Sequence, residues 1–179
     1  MNFIETGLAG GFFVDPQRIE DERGFFARTF ARPLFEARGL NANFVQCNIS
    51  YNPRKGTLRG MHYQVPPHAE SKLIRCTRGA VFDVMVDLRP GSPTLRKWAG
   101  VELTADNRRL AYIPEGVAHG FVTLCDDSEV FYEITAEYDA KSARGVRWED
   151  PVLAIRWPVE PTIVSERDRA FPLLDSGTP

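Results

Sequence analysis

Residues 71–89, SKLIRCTRGAVFDVMVDLR, are two apolar runs set back to back at Arg78 and Gly79, and their reading decides the fold. In VFDVMVDL the alternation puts Phe82, Val84, Val86 and Leu88 on one face, with Val81, Asp83, Met85 and Asp87 on the other. That period of two is the period of a strand. Asp83 then faces away from the aliphatic row, either onto a wet face or into a polar cavity, because a carboxylate in mid-strand needs water or a partner. Working outward, similar runs recur: NFVQCNISY, TLRGMHYQV, WAGVELT, RLAYIPEG, HGFVTL and EVFYEIT, with NPRKG, RPGSPT and PEG as turn signals between them. Short strands at this spacing predict an all-β sandwich or barrel. Helix is scarce: RPLFEARGL allows about two turns around Phe35, ending at Gly39. From RGVRWEDPVLAIRWP to SERDRAFPLLD the chain is rich in Pro and Trp with weak periodicity, and reads as an irregular segment wrapping the barrel.

The 179 residues suffice for one domain, 1–179, with a sizeable core. Lys and Arg number 22 against 24 Asp and Glu, a formal charge of −2, so no bulk charge points to nucleic acid or an anionic membrane. No window reaches the roughly 18 uninterrupted apolar residues of a membrane span, and the N-terminus lacks a basic start followed by an apolar core. A cytoplasmic protein is expected. Cys47, Cys76 and Cys125 are odd in number, sit at no metal spacing and fall inside strand-like runs, so all three are expected as buried free thiols.

TLRGMHYQV carries the first candidates for chemistry. His62 and Gln64 share a face with Leu58 in a plain register, whereas Arg59 has the opposite parity. Gly60 between them offers a bulge that would turn Arg59 into the same cavity. Two longer motifs resemble those of the cupin barrels: GTLRGMHYQVPPHAESKLIRCTRG, and PEGVAH with Pro114, Gly116 and His119. In metal-binding cupins the first motif has two histidines two apart, then a Glu, and these with the later His hold the ion. Here Gln64 replaces the second histidine, and an amide is a poor ligand for a transition metal. His68 could stand in, but it follows two prolines in a predicted loop, so neither metal nor cofactor is expected.

Taken in order, RGMHYQ, SKLIRCTRGAVFDVMVDLR, IPEGVAHGF, RGVRWEDP, IRWP and SERDR resemble the dTDP-4-dehydrorhamnose 3,5-epimerase family over nearly the whole chain. The resemblance implies a cupin-like jelly-roll β-barrel with an N-terminal strand arm and a short, irregular, partly helical C-terminal segment. It implies a nucleoside diphosphate carrying a 4-keto-6-deoxyhexose, inverted at C3, C5 or both by metal-free enolisation. His62 would be the base with Asp168 orienting its ring, Lys72 would hold the enolate charge, and Tyr132 would be the acid. Asp83 and His119 match a supporting polar pair in the same cavity. Arg59 and Arg23 match phosphate ligands, with Arg23 reaching in from a partner's N-terminal strand, so a homodimer with strand exchange is implied. Gln46, Asn48 and Tyr138 match positions bordering the nucleotide or sugar. The chain departs from better-known members at Arg28, Glu137 and Arg167, toward the nucleotide side. A 3,4-ketoisomerase or metal-dependent cupin oxygenase, which a tightly bound metal would support, and a non-catalytic sugar-binding cupin are the alternatives. The presence of both His62 and Tyr132 argues against the last.

Overall fold

The apolar runs read from the sequence all fold as strands in the computed structural model, which describes residues 1–174. Residues 175–179 of the domain expected over 1–179 lie outside the described residues. In chain order the elements are β1 (Asn2–Glu5), β2 (Phe12–Asp15), β3 (Arg18–Asp21), β4 (Gly24–Ala27), α1 (Arg32–Glu36), β5 (Gln46–Asn52), β6 (Thr57–Gln64), β7 (Lys72–Arg78) and β8 (Ala80–Asp87). They continue with β9 (Trp98–Thr104), β10 (Leu110–Ile113), β11 (Val117–Thr123), β12 (Ser128–Ile134), β13 (Ala143–Gly145), β14 (Ile163–Val164) and α2 (Glu166–Arg169). One sheet has the order β1-β2-β10-β7-β12-β5 and faces another, β13-β6-β11-β8-β9, with β14 added parallel to β6. These two sheets form a cupin-like jelly roll, while β3 and β4 make a separate hairpin. No helix among the described residues is long and apolar enough to cross a membrane.

The two runs of SKLIRCTRGAVFDVMVDLR enter different sheets. β7 pairs with β10 and β12, β8 with β11 and β9, and the chain changes sheet at Gly79, whose φ of 72° suits glycine. A Cβ there would stand 2.7 Å from the Ser128 hydroxyl. β8 is buried on both faces, so its alternation separates two cores rather than core from water. Val81 and Met85 point into the barrel with Ile74, Leu103, Ile113 and Phe121. Val84 and Val86 pack outside the sheet with Leu58, Met61, Trp148 and Leu153, beneath the C-terminal segment. Asp83 belongs to the inner face and is 1% exposed, which excludes the wet face.

That C-terminal segment is more ordered than its composition suggests. Val146 and Met61 exchange both backbone hydrogen bonds, and the Asp150 carboxylate accepts from the N–H groups of Val152, Leu153 and Leu174. β13, β14 and α2 are its regular pieces, held by the barrel rather than by their own periodicity. α1 is a short helix that buries Phe35 and runs through a turn to Gly39, where φ is 69°. Two sequence expectations are corrected. Cys47 is exposed and Cys125 intermediate, and only Cys76 is buried. The alternation of β5 turns Cys47 outward because Gln46 and Asn48 turn inward. Leu58 shares its face with Met61 rather than His62, because β6 is bulged: His119 pairs with His62 but Phe121 pairs with Arg59.

Candidate active site

The bulge that moves Leu58 outward is what turns Arg59 inward. At Gly60 φ is 144°, and a Cβ there would lie 2.5 Å from the Gly120 Cα, so only glycine lets β6 and β11 approach this closely. Arg59 and His62 consequently line one cavity of about 850 Å³ together with Gln46, Asn48, Lys72, His119, Tyr132, Tyr138 and Asp168. Asp83 stands behind this wall, with an oxygen 2.7 Å from His119 Nε2 and its other oxygen, Oδ1, buried without a partner among the described residues.

His62 is half exposed to the cavity, and its Nε2 lies 2.7 Å from Asp168 Oδ1. Asp168 comes from α2, 106 residues away. Ser165 caps that helix by accepting from the Asp168 N–H, and the Gly60 N–H donates to Asp168 Oδ2 at 3.2 Å. Burial alone would raise the Asp168 carboxyl. The hydrogen bond and charge of His62, with the Gly60 and Ser165 contacts, outweigh it and hold the carboxyl below its ordinary range. Phe171 stacks edge-on against the His62 ring with centroids 5.6 Å apart. Gly145 opposite makes room, since a Cβ there would stand 2.4 Å from the Phe171 ring.

Tyr132 lies on β12, in the other sheet from His62, so the two face the cavity from opposite walls. Burial pushes its phenol up and the charge of Arg59 draws it part of the way back, leaving a net rise that keeps it protonated at neutral pH. Lys72 opens β7 beside it, with Nζ 2.5 Å from Glu70 Oε1 and 3.4 Å from the His62 carbonyl. Arg59 donates through Nε to Asn52 Oδ1 at 2.7 Å, and Gln46 donates to Asn48 Oδ1 at 2.9 Å. Tyr138 is 56% exposed at the cavity rim.

Two expected site residues do not line this chain's cavity: Asp83, behind the wall, and Arg23, which sits at the exposed β3–β4 turn, paired with Asp21. Arg28 lines a separate groove of about 200 Å³, whereas Arg167 and Arg144 line the main cavity. Glu70 is among the cavity residues that sequence reading passed over, with Tyr51, Tyr63, Arg144 and Ser165. Its signal was the Glu-x-Lys spacing at the start of a strand, which puts both side chains on one face. The donor set does not suit a metal, for among the described residues no three His, Cys, Asp or Glu side chains converge. Gln64 is fully engaged elsewhere: its amide donates to the His68 and Glu137 carbonyls and accepts from the Asp139 N–H.

The fold is that of a cupin-type sugar epimerase, an isomerase. The family model described as dTDP-4-dehydrorhamnose 3,5-epimerase matches residues 5–176. A dTDP-4-dehydrorhamnose 3,5-epimerase of Shigella flexneri is 46% identical over 94% of this chain and 93% of its own. The Bacillus anthracis enzyme of that name, solved with TDP and PPi bound, superposes with a TM-score of 0.92 at 43% identity, covering 97% of this chain and 99% of that one. A Legionella pneumophila dTDP-6-deoxy-D-glucose-3,5-epimerase, in complex with dTDP-4-keto-L-rhamnose, gives 0.90 at 40% identity over 99% and 94% of the two chains. The chain belongs to the dTDP-4-dehydrorhamnose 3,5-epimerase family.

Proposed function

We infer that this enzyme inverts C3 and C5 of a dTDP-linked 4-keto-6-deoxyhexose by enolisation toward the C4 ketone. The observation that carries the reading is the origin of His62 and Tyr132 in facing sheets, since inversion needs proton removal on one face and delivery on the other. His62 takes the α-proton, the C–H electron pair becomes the C=C bond of the enolate, and the C4 oxygen becomes anionic. Asp168 holds the ring and stabilises the imidazolium. The Lys72 ammonium meets the anionic oxygen. Tyr132 delivers its proton to the same carbon from the other side, the ketone re-forms, and proton exchange through solvent returns both groups to their starting states. His119 and Asp83 support the wall near that oxygen.

Arg59 takes the diphosphate, with Gln46, Asn48 and Tyr138 on the nucleotide side. Arg23 completes the phosphate site from the partner of a homodimer formed by strand exchange. The exposed Ile19, Phe25 and Phe26 of the β3–β4 hairpin support such an arm, because apolar side chains on a projecting hairpin gain by being covered. The reading takes residues 1–179 as one domain, and a free nucleotide sugar as substrate puts the enzyme in the cytoplasm.

Incubation with dTDP-4-keto-6-deoxyglucose in deuterated water, followed by NMR of C3 and C5, tests it. The native enzyme should introduce deuterium with inversion at both carbons. Tyr132→Phe should lose inversion by about 10²–10⁴-fold yet wash deuterium in with retention, whereas His62→Asn should lose both by a similar factor. Near-normal inversion by folded His62→Asn would refute the assignment.

A further inference from the structure

Glu70 and Lys72 form an ion pair in the cavity wall, with side chains 6% and 10% exposed. Enclosing two charges costs both their hydration, and such a pair seldom adds net stability over apolar packing. This one is also incompletely bonded: Glu70 Oε2 is buried without a hydrogen-bond partner among the described residues. What the pair does supply is direction. An ammonium has three N–H donors on a flexible stem with large rotamer freedom. Glu70 Oε1 accepts one, 2.5 Å from Nζ, the His62 carbonyl accepts a second, 3.4 Å from Nζ, and the third has no partner among the described residues.

We propose that Glu70 is a positioning residue that holds the Lys72 ammonium so its remaining N–H points at the oxygen that becomes anionic on enolisation. The inference rests on the epimerase reading of Lys72 given above. The backbone between the two residues is clamped, which makes Glu70 a fixed stop. The Ser71 N–H donates to the Thr135 hydroxyl at 2.8 Å, and the Thr135 N–H donates back to the Ser71 carbonyl at 3.1 Å. On an extended segment the spacing of two puts carboxylate and ammonium on the same, inward face. Electrostatic stabilisation of a transition state depends on charge already in place when the oxygen develops its own, so a loose ammonium and a held one differ in kcat rather than in substrate binding.

The test compares Glu70→Ala, Glu70→Gln, Lys72→Met and the Glu70→Ala/Lys72→Met double variant, measuring kcat, KM and deuterium exchange, with dTDP binding by calorimetry. Glu70→Ala should lower kcat by roughly 10–100-fold with KM within about threefold, exchange falling in step with inversion. Binding of dTDP should be unchanged. Glu70→Gln keeps an acceptor of the same length beside Nζ and should recover much of the loss. In the Lys72→Met background Glu70→Ala should change kcat by less than about twofold, since no ammonium is left to hold. If Glu70→Ala does not fold, Glu70→Asp, which withdraws the carboxylate by one methylene, replaces it in the same comparison. Wild-type kcat in the truncated variant, or losses that multiply in the double variant, overturns the inference while leaving Lys72 its role. Wild-type kcat in Lys72→Met overturns that role and the inference together.

Discussion

Replacing Gly60 by Ala tests whether the β6 bulge builds the site. The new Cβ would meet the Gly120 Cα at 2.5 Å and the His119 carbonyl oxygen at 3.2 Å, both backbone atoms that no rotamer change can move. Ordinary carbon–carbon contact is about 3.5–4.0 Å, so β6 and β11 must part by roughly 1 Å in the middle of their pairing. Overpacking of that kind costs about 1–3 kcal/mol. The φ of 144° adds strain for any residue with a Cβ, about 1–3 kcal/mol more. Together these give a loss of roughly 2–6 kcal/mol, and for a chain of this size a fall in Tm of roughly 5–20 °C. Gly91→Ala is the control, with φ of 77° but nothing within 4 Å of the new Cβ. It should cost only the left-handed backbone penalty, about 1–2 kcal/mol. Scanning calorimetry reads the stability difference, and steady-state inversion kinetics read the site. Displacing Arg59 should also weaken substrate binding by about 1.5–3 kcal/mol, the scale of a lost charge-assisted hydrogen bond. A Gly60→Ala protein that melts with the Gly91→Ala control and keeps native kinetics would refute the claim that the bulge aims Arg59.

The other predictions concern the proton chemistry and the assembly. Mixing Arg23→Ala with His62→Asn protein should restore activity once heterodimers form, because one of the two sites is then intact, and confirmed heterodimers without activity would deny the shared site. Asp168 has a lowered folded pKa, so its stabilising contribution is present above the unfolded value near 3.9 and is lost as pH falls through the folded value. Asp168→Asn should therefore have a lower urea midpoint than the native protein at pH 7, with the gap closing below about pH 4; a gap independent of pH would count against the His62 pairing. Chelation with EDTA should leave inversion at its native rate, given that Gln64 is committed to the loops, and activity lost to EDTA and restored by one added ion would contradict this.

Much of the barrel was legible because its strands obey the period of two, and the inward residues Gln46, Asn48, Lys72 and Tyr132 fall on runs where that period is clear, whereas Arg59 joins His62 only through the bulge in β6. The same rule, followed one residue further, turns Cys47 outward, so the thiol correction was available from the parity of Gln46 and Asn48. Gly60 signalled a bulge, but its effect on Leu58 could not be read, since a bulge shifts parity by an amount that depends on the partner strand. The change of sheet at Gly79 was hidden for a related reason: adjacent runs look alike whether they pair with each other or with distant strands. The C-terminal segment was least legible. Its order comes from contacts such as those of Asp150 and of Asp168, which join residues far apart in sequence, and local propensity carries no trace of them.

Gln64 stands where a metal-binding cupin has its second histidine. In a metal-binding barrel a histidine there would turn a nitrogen toward an ion, and the ion would supply the positive charge that an enolate oxygen requires. Here the amide closes the loops around His68 and Glu137, and among the described residues no third ligand converges. A positive charge on the C4 oxygen is still needed if His62 is to remove an α-proton at a useful rate, and Lys72 is the ammonium enclosed in the same cavity wall. An ammonium is a weaker and more mobile electrophile than a divalent ion, so it must be fixed by what surrounds it. In the proposal above the Glu70 carboxylate, two residues before Lys72, and the carbonyl of His62 itself do that fixing. In the proposed reaction the carbonyl of the base residue thus touches the charge that answers its proton removal, and displacement of β6 at Gly60 should disturb both at once.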